Sequence, residues 1–104
     1  MTIPACPMIS EREWQKQVVH LASLAGWKVH HNWTEIHSPK GWPDLTFCKP
    51  PRLVFAELKS EKGKTTPEQD EWLNQLRECG QEAYVWRPSD LQTVGNILGL
   101  EILS

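Results

Sequence analysis

The amino-acid sequence predicts an α/β fold in which helices flank a central mixed β-sheet. The hydrophobic periodicity changes between helical and strand spacing along the chain, and it gives the element order α-β-β-β-α-β-α. The predicted helix between the third and fourth strands supplies the crossover that parallel pairing requires. This order of elements is typical of a sheet covered by helices.

The composition is that of a soluble globular protein, and 104 residues suffice for one domain. The formal net charge of −2 gives no overall signature of a nucleic-acid-binding protein, although residues 49–64 hold five lysines and arginines against two glutamates. The three cysteines are widely spaced, which indicates neither a zinc motif nor a disulfide framework. Because the chain has no signal-peptide pattern and no apolar run of membrane-spanning length, we expect an intracellular, cytoplasmic protein without membrane contact.

The first helix is predicted to run from Ser10, an N-cap with Glu13 as its capping-box partner, to about Ala25. Glu11 and Gln15 continue the apolar row of this helix, whereas Glu13 lies on another side. Glu11 is therefore the better candidate for a carboxylate that reaches the sheet. The alternative is a solvated first-turn acid, which the helix dipole also favours.

Turn signals and short periodic runs predict the remaining elements. Thr66, Pro67 and Gln69 form an N-cap, a first-turn proline and a capping-box partner, and together they begin a second helix. The predicted strands span about 27–33, 44–49, 53–60 and 82–87, a charged loop covers 60–64, the second helix ends near 79, and a last short helix opens at 88.

An apolar run in the middle of the chain holds two charges. Residues 53–59 have the pattern of a buried strand, and period-two alternation places Glu57 and Lys59 on the same face. Because a lone charge is costly to bury, this pair indicates a shared charged partner such as a metal ion or a phosphate. Asp44, after Pro43 and ahead of another predicted strand, can supply a second carboxylate. The simpler alternatives are Asp44 as a turn residue and Glu57 with Lys59 as a surface pair on an edge strand.

Two carboxylates beside a lysine suit a hard divalent cation such as Mg²⁺, which prefers oxygen ligands and keeps several waters. Asp44 and Glu57 would hold the ion, which would activate a water and polarise a phosphoryl oxygen. Lys59 would orient that water or stabilise the charge that develops on the phosphate. The residues therefore favour hydrolysis of a phosphate ester with Mg²⁺ as the cofactor.

These residues resemble the signature of the PD-(D/E)xK nucleases, present here as Pro43-Asp44 and Glu57-Leu58-Lys59. A longer pattern is similar to the VRR-NUC branch, the virus-type replication-repair nucleases, in its stand-alone phage form. That pattern comprises Glu11, Trp14-Gln15, Gly26-Trp27, His30, Gly41-Trp42-Pro43-Asp44-Leu45, Glu57-Leu58-Lys59, Thr66-Pro67-Glu68-Gln69, Trp72-Leu73, Leu76 and Gly80. It covers about residues 10–88, the expected core of a single nuclease domain spanning 1–104, with a C-terminal helix and tail at 89–104.

The resemblance implies a restriction-endonuclease-like α-β-β-β-α-β core and an endonuclease that hydrolyses DNA with Mg²⁺, or with Mn²⁺ in its place. Asp44 and Glu57 would ligate the metal, and Lys59 would be the catalytic lysine. The main-chain carbonyl of Leu58 would be a further metal ligand.

The resemblance also assigns roles to residues outside this cluster. The acid of the family's first helix corresponds best to Glu11, as a metal ligand, and its helix glutamine corresponds to Gln69, as a catalytic residue. For Gln69 the capping box is an equally good explanation. Contacts to DNA are expected from Lys62, Lys64, Gln15 and His30. His30 is equally well explained as an ordinary strand histidine.

The substrate expected from the resemblance is branched DNA such as a four-way junction, as for a Holliday-junction resolvase, in a phage or prophage protein. The alternatives are a nuclease of the same fold that acts on flaps, nicks or ends, and a DNA-binding module without catalysis. Symmetric cleavage of a two-fold branched DNA needs two sites, which predicts a homodimer. The apolar tail 97–103 and the tryptophans Trp33 and Trp42 are candidate dimer surface, and the alternative for the tail is packing on its own sheet.

Overall fold

The computed structural model describes residues 9–32 and 39–100, and its elements follow the predicted order. The helices are α1 (Glu11–Leu24), α2 (Pro67–Glu78) and α3 (Leu91–Leu98), with a 3-10 turn at Pro88–Asp90 directly before α3. The strands are β1 (Lys28–His31), β2 (Leu45–Lys49), β3 (Arg52–Leu58) and β4 (Glu82–Trp86). No helix within the described ranges is long and apolar enough to cross a membrane.

Capping residues fix the starts of the two long helices. The Ser10 hydroxyl accepts a hydrogen bond from the Glu13 N–H at 3.1 Å, one of the two bonds of the predicted capping box. At α2 the Thr66 hydroxyl accepts from the Gln69 N–H at 3.2 Å, and Gln69 Oε1 accepts from the Thr66 N–H at 2.9 Å. The capping box predicted for α2 is therefore complete.

The four strands form one mixed sheet in the order β1-β2-β3-β4. The pairs β1–β2 and β2–β3 are antiparallel, and β3–β4 is parallel because α2 provides the crossover. Pro50 and Pro51, joined by a cis peptide bond, connect β2 to β3. Since β3 has a hydrogen-bonded neighbour on each side, Glu57 is not a surface residue of an edge strand.

Helices cover both faces of the sheet, so the alternating side chains of β3 enter two separate clusters. Val54, Ala56 and Leu58 belong to a cluster with residues of α1 and α3, whereas Phe55 packs with residues of α2. The first cluster contains Trp14, Val18, Ala22, Trp27, Leu45, Phe47, Val54, Ala56, Leu58, Trp86, Val94 and Leu98, and the second contains Phe55, Leu73 and Ala83 with Trp42, Leu76 and Val85 packed against it. The period-two alternation places Glu57 on the α2 face, beside Phe55.

Five of the six tryptophans lie among the described residues. Trp14, Trp27 and Trp86 are buried, whereas Trp42 and Trp72 are half-buried. Trp42, a candidate for dimer surface, is partly covered within its own chain: its ring packs edge-on against Phe55 at a centroid distance of 5.7 Å and against Trp72 at 4.9 Å. The loop position of Trp42 in the sequence gives no indication of these contacts with β3 and α2. Trp33 lies outside the described residues.

The predicted apolar tail begins within α3, and its first residues pack on their own sheet, as the alternative to dimer contact predicts. Leu98 is 1% exposed, and its carbonyl accepts a hydrogen bond from Trp27 Nε1 at 2.9 Å. The Ile97 carbonyl accepts from Arg52 at 2.8 Å, and Arg52 also forms an ion pair with Glu82. The Leu98 side chain lies in the first core cluster and Ile97 packs against it, which accounts for the apolar character of both. Residues 101–104 lie outside the described part of the chain.

Candidate active site

The predicted acids meet where β2 begins and β3 ends. Leu45 pairs with Ala56 in the antiparallel register, so the next residues outward, Asp44 and Glu57, face each other. Asp44 Oδ2 accepts a hydrogen bond from the Leu58 N–H at 2.9 Å. The hairpin between β2 and β3 thus brings together two carboxylates that are thirteen positions apart in the sequence.

The Glu57 side chain is buried beside the polar groups of Gln69 and Lys59. It is 2% exposed, and its Oε2 accepts a hydrogen bond from Gln69 Nε2 at 3.0 Å. Lys59 Nζ lies 3.6 Å from the same oxygen. The other oxygen, Oε1, is buried and accepts no hydrogen bond from the described residues. A buried acceptor without a donor is uncommon in proteins, so this oxygen indicates a place for a cation or a proton.

The electrostatics of the pair favour a proton on Glu57 in the metal-free protein. Burial raises the pKa of Glu57 to about 8, and the negative charge of Asp44 and a hydrogen bond with Asp44 add to the shift. The Lys59 charge opposes this shift, whereas the Glu11 charge adds to it. Two carboxyl groups this close cannot easily both be ionised unless a positive charge lies between them.

Glu11, rather than Glu13, lies beside the pair. Burial raises the pKa of Glu11, the Lys59 charge opposes the shift, and the Asp44 charge adds to it. These interactions place the Glu11 carboxylate within the electrostatic reach of both residues, although Glu11 itself is largely exposed. Glu11, which the sequence places in line with the apolar residues of α1, is therefore the glutamate of this helix that lies near the site.

Asp44 is positioned by residues whose role the sequence did not reveal. Its main-chain carbonyl accepts a hydrogen bond from the Asn32 N–H at 2.8 Å, directly after β1. Gly41 has a φ of +101°, and a Cβ at this position would lie 2.5 Å from the carbonyl carbon of Glu68 and 2.8 Å from the Gln69 nitrogen. The glycine thus permits the Asp44 loop to lie against the first turn of α2. The only sequence signal was the glycine in the Gly41-Trp42-Pro43-Asp44 segment.

Gln69 completes the capping box and also contacts a residue of the candidate site. Its Oε1 caps the backbone of α2 at Thr66, and its Nε2 donates to Glu57. The amide group has an acceptor end and a donor end, so one side chain can make both contacts. The capping box and the site contact are therefore not alternatives.

Lys62 and Lys64 lie on a loop tied to the turn before α3. The Ser89 N–H donates to Glu61 Oε2 at 3.0 Å, and the Arg87 guanidinium donates to the Gly63 carbonyl. Within the loop, the Gly63 N–H donates to the Ser60 carbonyl at 3.1 Å. Both lysines are exposed on this loop, which follows Lys59 directly.

Gln15 and His30, the other predicted DNA contacts, line a groove between α1 and β1. Their exposure differs, since Gln15 is half-buried and His30 is exposed. His30 lies on edge strand β1, opposite Thr46 of β2. The predicted DNA contacts therefore occupy two separate places, a loop after β3 and a groove beside β1.

The donor set fits a hard cation with few protein ligands. Within residues 9–32 and 39–100, no group of three or more histidines, cysteines, aspartates or glutamates has the spacing of a metal site. Asp44 and Glu57 form a pair, however, and Mg²⁺ typically takes one or two carboxylates and completes its shell with water and phosphate. The buried Glu57 Oε1 offers one such oxygen.

Comparison with known proteins identifies related folds. A family model for the VRR-NUC domain matches residues 5–90. A solved structure named as a VRR_NUC domain protein is 22% identical over 92% of this chain and 95% of its own, with a TM-score of 0.68. Another, named as a VRR_NUC domain, is 25% identical over 86% of this chain and 96% of its own, with a TM-score of 0.69. Comparison with curated proteins gives no significant match.

A further solved structure is Hjc, a Holliday junction resolvase from the archaeal hyperthermophile Archaeoglobus fulgidus. It is 25% identical over 74% of this chain and 68% of its own, with a TM-score of 0.54. The mixed sheet with flanking helices is thus similar to the Hjc fold, and the predicted restriction-endonuclease-like fold is confirmed.

Proposed function

The chain belongs to the VRR-NUC domain family, and from this premise we propose that it is a metal-dependent endonuclease that hydrolyses branched DNA. The family model spans most of the chain, including Asp44, Glu57, Lys59 and Gln69. Family membership and the likeness to Hjc support a nuclease that acts on DNA. Dependence on a divalent metal ion and preference for branched DNA are what we propose in addition.

The observation that carries the proposal is the pairing of the half-buried Asp44 with the buried Glu57. A carboxylate with a purely structural role in a sheet core would have donors for both oxygens. Glu57 Oε1 has none among the described residues, and Glu57 faces a second acid, Asp44. A bound cation would pair this oxygen and would remove the repulsion between the two acids.

Asp44 and Glu57 would hold Mg²⁺, or Mn²⁺ in its place, with the Leu58 carbonyl and Glu11 as further oxygen donors. The ion, when bound, would supply an activated water and neutralise charge on the phosphate under attack. Asp44 Oδ2 and Glu57 Oε2 are each fixed by an N–H donor. These donors would hold the carboxylates in a set orientation and reduce their reorganisation.

Lys59 and Gln69 both approach Glu57 Oε2, and we assign them different roles. The Lys59 side chain is 14% exposed, so its ammonium group lies at the boundary between the buried acid and solvent. From there it can donate a hydrogen bond to a phosphoryl oxygen as charge develops, or orient the attacking water. Gln69 contacts Glu57 rather than the reacting atoms, so we assign it as a positioning residue.

Branched DNA is the proposed substrate class because Hjc, named as a Holliday junction resolvase, shares the fold. The exposed Lys62 and Lys64 would contact backbone phosphates near the site, where they provide positioning without base specificity. A homodimer would present two sites to a two-fold symmetric junction.

A cleavage assay tests the proposal on labelled duplex, nicked, flap and four-way-junction DNA, each with Mg²⁺, Mn²⁺ or EDTA. We expect metal-dependent cleavage, greatest on the junction, and loss of cleavage in Asp44→Asn and Glu57→Gln. Glu78→Gln, which alters an exposed acid at the end of α2, is the matched control and should cut normally. If the wild type cuts none of these DNAs, or if Asp44→Asn cuts at the wild-type rate, the proposal is wrong. Cleavage of flaps but not junctions would reassign the substrate.

A further inference from the structure

A groove of about 1050 Å³ lies between α1 and the edge strand β1. One end adjoins the candidate active site, because its lining includes Asn32, which donates to the Asp44 carbonyl, and Arg12, the neighbour of Glu11. Along α1 the lining continues to Ser23, a distance of roughly 16 Å at the helical rise per residue. The groove therefore leads away from the site along one side of the molecule.

The charge of this groove is opposite to that of the whole chain. Its lining includes Arg12, Lys16, His20, His30 and His31, and the other described lining residues are uncharged. The acids of the first turn of α1, Glu11 and Glu13, are not among the lining residues. In a chain with a formal net charge of −2, such a concentration of cationic and imidazole groups marks a site for an anionic polymer.

We propose that this groove, defined by Arg12, Lys16 and His30, binds the phosphate backbone of a double-stranded DNA arm continuing from the scissile phosphate. The inference rests on the proposed nuclease function, and it adds the path that the DNA follows outside the active site. Ammonium, guanidinium and imidazole groups at intervals along α1 and β1 suit successive phosphates. No phenylalanine, tyrosine or tryptophan is among the described lining residues, so this part of the groove offers contacts to backbone phosphates rather than the aromatic stacking that single-stranded DNA uses.

The test compares two double variants that remove the same charge. Arg12→Ala with Lys16→Ala empties the groove of its two permanent charges. Lys28→Ala with Lys49→Ala removes two exposed lysines at the opposite end of the sheet, where β1 begins and β2 ends. Affinity for a plain duplex and for a four-way junction is measured in EDTA over a series of salt concentrations, so that no DNA is cut.

We expect the groove variant to bind both DNAs roughly ten-fold or more weakly than the wild type, since each lost contact is a hydrogen bond to a charged group. Its plot of log affinity against log salt should be shallower by about 1.8, at about 0.9 for each lost phosphate contact. The control variant should keep the wild-type slope. The charge-retaining variant Arg12→Lys with Lys16→Arg should restore most of the affinity. Restored affinity would show that the loss comes from the missing charge and not from a folding defect, as expected for two exposed side chains.

Equal affinities and slopes for the groove and control variants would overturn this inference while leaving metal-dependent cleavage by the wild type intact. Failure of the wild type to cut any DNA would instead overturn the proposed function. The wild type could instead bind single-stranded DNA more tightly than duplex DNA, and the groove variant could lose that binding. This result would contradict duplex DNA as the occupant of the groove. A wild type that binds neither duplex nor junction would contradict both.

Discussion

At the scale of single residues, Gln69 links the stability of a helix to the geometry of the active site. The same amide group completes the capping box of α2 and donates to the buried Glu57. Substitution of Gln69 therefore removes two effects at once, and Thr66 allows them to be separated. The Thr66 hydroxyl accepts the capping hydrogen bond from the Gln69 N–H, whereas the contact to Glu57 comes from the Gln69 side chain.

Thr66→Ala should lower the free energy of unfolding by about 1 kcal/mol, the usual effect of losing an N-cap hydroxyl, and should leave metal binding nearly unchanged. Gln69→Ala should cause a similar loss of stability and, in addition, weaken metal binding or cleavage roughly ten-fold or more, because an oriented ligand loses its donor. Chemical unfolding and the Mg²⁺ dependence of single-turnover cleavage measure the two effects. If both variants alter the Mg²⁺ dependence equally, Gln69 acts only through the helix.

The raised pKa of Glu57 predicts a pH dependence of stability. Between an ordinary value of 4.5 and the folded value of about 8, the folded metal-free chain holds a proton that the unfolded chain releases. Its free energy of unfolding should therefore fall as pH rises through this window, and Glu57 should contribute no further change above it. The effect comes from burial first and from Asp44 second.

Thermal unfolding in EDTA at several pH values between about 5 and 9 measures this dependence. Glu57→Gln cannot ionise, so its melting temperature should decline less over the same range. Glu11 also has a raised pKa, but it is common to both proteins, and the difference between them isolates Glu57. Parallel profiles for the two proteins would show that Glu57 is not the group that titrates.

At the scale of elements, the contact between the Asp44 loop and α2 depends on the absence of a side chain at Gly41. A Cβ there would lie 2.5 Å from the backbone of Glu68, and backbone atoms in a capped helix turn cannot move independently. Gly80, after α2, also has a positive φ, of +84°, but no atom lies within 4 Å of a Cβ built there. An alanine at Gly80 would therefore meet only backbone strain, whereas an alanine at Gly41 would meet backbone strain and a steric clash.

Gly80→Ala should lower the free energy of unfolding by about 1–2 kcal/mol, because a residue with a Cβ is strained in the left-handed region. Gly41→Ala should lower the free energy of unfolding by more than this. It should also reduce cleavage, because the added Cβ displaces the first turn of α2, which carries Gln69. Urea unfolding and the cleavage rate of the two variants test this difference. A Gly41→Ala protein that is as stable and as active as Gly80→Ala would contradict the close approach.

Local signals were sufficient to predict the elements, and non-local contacts account for what the sequence did not predict. The capping box at Thr66 and the alternation in β3 are properties of a few neighbouring residues, so α2 and the buried Glu57 were predicted correctly. The burial of Trp42 depends on Phe55 and Trp72, which approach it only after folding. Arg12 and Lys16 were not identified as a binding surface, because the groove exists only when β1 lies beside α1.

At the scale of the whole molecule, the oligomeric state rests on the substrate argument. The start of the apolar tail packs within its own chain, so Ile97 and Leu98 no longer supply dimer surface. We still predict a homodimer, because paired cleavage of a junction needs two active sites. The phage or prophage origin likewise stays a prediction.

Light scattering at micromolar concentration should report about twice the chain mass of 12.0 kDa, alone or with junction DNA. A second measurement mixes wild type with Asp44→Asn, so that a dimer contains one active site and one inactive site. Such mixed dimers should nick one strand of a junction rather than resolve it. A strictly monomeric species that still cuts both strands in concert would contradict the dimer.

The ties that hold residues 60–64 affect the thermodynamics of DNA binding. Glu61 and Gly63 are bonded to Ser89 and Arg87, so the backbone that carries Lys62 and Lys64 is anchored to the chain just before α3. Ordering a free loop costs about 1–2 kcal/mol per residue in conformational entropy. In this loop the entropy is lost when the protein folds and not when DNA binds. More of the attraction between the two lysines and the phosphates therefore appears as binding free energy.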